Sequence, residues 1–178
     1  MNKITPDVVA SVISAAGDEV TGISRLRNII IMLNMVGYLE GLGFPQGYFG
    51  PVGKEVDFAI SDAVALGLVR ETREKSICGG FYSIYSQGDM NDDGRLAVAK
   101  HLIDSMRNSK SVSLELVVMA IMLRQSDVPD VWEEVRRRKP SKASAKHLDE
   151  AKQLLSELSK IDTPNALPEI LDHHLYLA

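Results

Sequence analysis

The sequence predicts a mainly α fold of α+β type, and three observations carry that prediction. Apolar residues recur at helical spacing along most of the chain, as in Leu26, Ile30 and Leu33 or Leu148, Ala151, Leu155 and Leu158. Two β-prone runs, Leu68–Thr72 and Phe81–Tyr85, are joined through Gly79-Gly80, which is the pattern of a hairpin. Three helical patterns precede that hairpin, and beyond it the chain reads as helix only. The order predicts an N-terminal winged helix-turn-helix with a two-stranded wing over residues 1–88. A helical half over 89–178 would pack on it or on a partner.

The first helix is expected to start near Thr5 and Asp7, with Pro6 tolerated in its opening turn and Gly17 closing it. Thr21-Gly22-Ile23-Ser24 is expected to open the second, which carries Arg25 and Arg27 where the helix dipole disfavours cations. Both arginines are therefore expected to have partners or to face solvent usefully. Glycine and proline at Pro45, Gly47, Gly50, Pro51 and Gly53 mark a sharp turn before the third helix. That helix presents Ala59, Ile60, Ala63, Val64 and Leu66 to a core, and Gly67 is the expected left-handed residue at its end. In the second half, Val112, Leu114, Leu116, Val117, Ala120, Ile121 and Leu123 predict a helix apolar nearly all round, hence buried. Asp127 or Asp130 is the expected cap of a short helix around Trp132 that Pro140 ends.

A chain of 178 residues with 45% hydrophobic side chains can bury a real core, and its seven methionines and 6% aromatics suit an aliphatic interior. The net charge of −4 provides no general attraction to polyanions. One cysteine, Cys78, can form neither an internal disulfide nor a Cys-rich zinc site, which fits a reducing cytoplasm. No signal peptide is expected at the N-terminus, and Ile29–Leu33 is far too short to span a membrane.

Four short pieces bear a resemblance: Arg25-Leu26-Arg27-Asn28, Phe49-Gly50-Pro51, Gly67-Leu68-Val69 and Tyr82-Ser83-Ile84. With Val131–Val135, Lys139-Pro140 and Leu154–Leu158 in the same order, the chain resembles the YwgA-like proteins of bacteria, archaea and phages. It departs from them at Arg27 and Asn28, where Gln and Lys are favoured, and at Val52 and Gly53, where an aromatic and a capping Ser are usual. The resemblance implies a winged-helix fold and a place near phage-defence or toxin–antitoxin genes. It implies no catalytic residue.

Several constellations are candidates for function. The helix that a winged helix would lay in a major groove offers Lys54 against Glu55, Asp57 and Asp62, and three carboxylates there would repel a duplex. Lys54, Glu55, Asp57, Phe58 and Asp62 are therefore expected to form a protein-docking face. The wing, with Arg70, Arg73 and Lys75 against Glu71 and Glu74, is only marginally basic. A basic cluster, Arg136, Arg137, Arg138 and Lys139 with Lys142 and Lys146, is the better candidate for a nucleic acid or an acidic partner. Seven cations face four carboxylates between Glu133 and Lys152.

Asp89–Gly94 matches the first half of a calcium loop, but Lys100 stands where the twelfth-position carboxylate belongs. Gly50–Glu55 lacks the Ser/Thr of a phosphate loop, and no nucleophile–base pattern is present. The expected function is a non-enzymatic interaction or regulatory module needing no metal, cofactor or small-molecule substrate. Its expected partner is a protein or a second copy, with the leucine-rich stretch Leu167–Leu177 a further docking candidate. The alternative is a DNA-binding regulator acting through the wing and the Arg136–Lys146 cluster.

Overall fold

The structure, a computed structural model, describes residues 4–39, 52–89 and 94–170. Among them, α1 (Pro6–Ala15) opens on a proline whose missing N–H would have had no partner in the helix, and Gly17 at φ 81° turns the chain away. A strand, β1 (Glu19–Thr21), comes next and was not expected. Thr21 pairs with Ile84 instead of opening a helix, and α2 (Ile23–Met35) begins behind Gly22 at φ 91°. Three residues are too few for an alternating pattern to show, and the strand exists because of a partner more than sixty residues away. α3 (Val52–Ala65) ends ahead of Gly67, whose φ of 75° is the left-handed conformation expected there.

β2 (Val69–Lys75) and β3 (Phe81–Gln87) form the hairpin, longer than the sequence pattern indicated, and the antiparallel sheet runs β1-β3-β2. Only its base is buried, through Val20, Val69 and Tyr85, whereas every residue of β2 from Arg70 onward is exposed. The hairpin is rooted in the core and projects beyond it. At its exit a Cβ on Gly88 would lie 2.1 Å from the Gly67 carbonyl oxygen, a distance that only glycine tolerates.

A short 3-10 turn at Ala97–Ala99 leads into α4 (Lys100–Asn108), α5 (Ser111–Gln125), α6 (Val131–Arg138) and α7 (Ala145–Leu158). Of the two candidate caps, Asp130 accepts the Glu133 N–H at 3.1 Å, while Asp127 takes the left-handed conformation after α5. Ser144 caps α7 in the same way, from the His147 N–H at 3.3 Å. α5 is buried on most sides and packs against α2, α6 and α7.

One continuous apolar cluster runs from Ile4 to Leu158. Polar ties cross it as well. Arg25 donates to the carbonyls of Thr21 (3.1 Å) and Ser109 (3.0 Å), and Arg107 donates to the carbonyl of Ala16. Among the described residues no helix is long and apolar enough to cross a membrane.

Candidate functional site

α3 turns Val56, Ala59, Ile60 and Ala63 into the core, which leaves Lys54, Phe58, Ser61 and Asp62 exposed and Glu55 and Asp57 half-buried. The three carboxylates have different fates. Arg27 of α2 holds Asp57 with a two-pronged contact, Nε to Oδ1 at 2.8 Å and Nη2 to Oδ2 at 2.9 Å. The charge of Asp57 is thereby offset, and of the two expectations for Arg27, a partner or solvent, it meets the first. Asp62 stays exposed. Phe58 is 65% exposed, unusual for a large aromatic on a helix whose opposite face is core.

The register of the hairpin places Glu71 opposite Tyr85, Arg73 opposite Ser83 and Lys75 opposite Phe81. These residues share the face that buries Val69 and Tyr85 at its base, so the face is turned towards the helices. Burial holds the Tyr85 phenol above its ordinary pKa, and Asp57 of α3 is among the charges it senses. Phe81, 75% exposed, extends this face outward, and Ile77 in the turn beyond it is fully exposed. Charge along it is mixed. Glu71 accepts the Ser83 hydroxyl at 2.5 Å and lies 3.5 Å from Arg73. On the opposite face with Arg70, Glu74 accepts the Tyr82 hydroxyl at 2.7 Å, which raises the phenol's pKa.

The basic cluster does not form a cationic ridge. Arg136 pairs with Glu133 at 2.8 Å. Arg137 and Arg138 both grip Glu134, at 2.6 and 2.5 Å, and their hydrogen bonds hold its carboxyl at about 2. Lys139 and Lys142 turn towards α5 and share Glu115, at 2.8 and 2.6 Å. Burial opposes the charge on Glu115, yet the two lysine hydrogen bonds keep its pKa below the ordinary glutamate value. Lys146 is exposed on α7, where it acts on Glu150. A run contiguous in sequence is thus divided among three carboxylates.

Glu115 escapes a reading of the sequence because it sits inside an apolar run, 24 residues before Lys139. The Arg27–Asp57 pair spans 30 residues and has no local signature either. Cys78 is exposed in the hairpin turn. Among the described residues no group of three or more His, Cys, Asp or Glu could hold a metal ion. Most of the Asp89–Gly94 motif, the Phe44–Pro51 turn and the stretch after Ile170 lie outside the described residues. Compared with protein-family models, curated proteins and solved structures, the chain matches none.

Proposed function

We propose that the chain is a non-enzymatic interaction or regulatory protein whose first 88 residues form a winged helix, with the β2–β3 hairpin as its wing. In this reading α3 and the helix-facing side of the hairpin dock a protein partner. The observation that carries it is the exposure of Phe58, with Phe81 and Ile77 on the projecting hairpin, amid charges that largely cancel. Interfaces between proteins enrich aromatics in this way, whereas duplex-binding surfaces are strongly positive. Supporting it further, Arg136, Arg137, Arg138, Lys139 and Lys142 are already engaged by carboxylates of the same chain. An accessory or antitoxin-like role in a defence or toxin–antitoxin locus follows from the resemblance to the YwgA-like proteins.

The test is co-purification of the full chain with the products of the genes flanking its own, for wild type and for Phe58→Ser with Phe81→Ser. Both side chains are largely exposed, so the variant keeps its fold. The proposal expects a flanking product retained by wild type and lost from the variant. Equal retention by both would overturn the assignment of this face. A second reading, duplex binding, is favoured by one observation: Asp57 is neutralised, while Lys54, Arg70 and Lys75 face solvent.

A further inference from the structure

We propose that a cleft between α2, α5 and the first turn of α3 binds a small organic carboxylate, its charge at Lys139 and Lys142 and its apolar body on α5. The cleft holds about 340 Å³, at the lower end of the range for small-molecule sites. Its charged lining is Arg27, Lys139, Lys142 and Glu115. Arg27 is offset by Asp57, and the two lysines share one glutamate, which leaves an excess of one positive charge. That balance suits a monoanion better than a dianion. A ligand carboxylate would share the two ammonium groups with Glu115, each of which has three hydrogens to donate.

Asn28, 93% buried, lines the same cleft and sets a polar side chain beside the charged ones. Gly53, in the first turn of α3, lines the same cleft. First-turn N–H groups have no acceptor within their own helix and favour an anion nearby. No side chain at Gly53 blocks the approach: a Cβ there would meet only Arg27 Cδ, at 3.5 Å.

The apolar lining decides what the rest of the ligand must be. It includes Ile31, Met119 and Met122, and methionine adapts to aliphatic or flat apolar groups. Cationic and apolar lining in one cleft select an amphiphilic acid and neither a free inorganic anion nor a neutral alcohol. The lining includes neither Phe58 nor any residue of the hairpin, and its test reads ligand binding alone, so its failure and that of the protein-docking reading are distinguishable.

The test uses the uniformly ¹⁵N-labelled full chain, titrated with hexanoate, hexanol, acetate and inorganic phosphate at constant ionic strength while amide shifts are followed by NMR. Hexanoate is expected to shift the Asn28 side-chain amide and the Gly53 backbone amide saturably. Hexanol and acetate should each bind at least about tenfold more weakly, since each lacks one half of the recognition. Lys142→Met and Lys139→Met, each checked for an unchanged amide spectrum away from the cleft, should weaken hexanoate by about tenfold or more. Absence of a saturable shift at Asn28 and Gly53 would overturn the site. Equal response to hexanol, or undiminished binding in both lysine variants, would overturn the ionic recognition. Tighter binding of phosphate than of hexanoate would overturn the ligand class.

Discussion

Glu134 shows how a single residue can disarm a charge run. It sits on the first turn of α6, where the helix dipole favours an anion, and its two oxygens take the guanidinium groups three and four residues on. The outcome is a carboxyl held at about 2 against an ordinary 4.5. A folded-state pKa below the unfolded one stabilises the fold at pH above the unfolded value. That contribution fades as pH falls from 4.5 towards about 2. Urea unfolding of wild type and Glu134→Gln should therefore show wild type more stable at pH 6, with the gap closing steadily below 4.5. A gap independent of pH would mean that the pairing adds nothing. Residues whose role is local were legible in the sequence: Asp130 as a cap, Gly67 as a left-handed terminator. Arg27, Asp57 and Glu115 were not, because a charge meets its partner across 24 to 30 residues only once the helices have packed.

At the scale of elements, α5 has the largest share in holding the described chain together. Leu114, Leu116, Val117, Ala120, Ile121 and Leu123 are fully buried, and they face α2 on one side and α6 and α7 on others. An all-round apolar pattern made this burial legible in advance. Leu116→Ala should cost about 2–5 kcal/mol in chemical denaturation, from lost transfer energy plus the cavity left behind. Val98→Ala, at a side chain 76% exposed, should change stability by less than about 0.5 kcal/mol. Comparable losses at the two positions would contradict the assignment of the core. β1 and the outer end of β2 were hidden for different reasons. β1 is too short to carry a pattern, and Arg73-Glu74-Lys75, by which β2 exceeds the expected run, is too polar to look like a strand until β3 pairs with it.

Taken whole, the molecule has one buried cluster joining both halves of the chain, with Arg25 and Arg107 tying the ends of helices across it. What it presents outward is a projecting hairpin and the exposed side of α3, where aromatic side chains stand among balanced charges. The basic cluster, prominent in the sequence, is folded into ion pairs and a cleft. The proposed function predicts that this distribution favours a protein partner over DNA. The most direct measurement is fluorescence anisotropy of labelled duplexes, one from upstream of its own gene and one of random sequence, titrated with the full chain across salt concentrations. The account predicts only weak association, with Kd no tighter than about 10⁻⁶ M at physiological salt for either duplex. A Kd near 10⁻⁸ M that weakens steeply with salt, and is abolished by Lys54→Ala, Arg70→Ala and Lys75→Ala together, would contradict it.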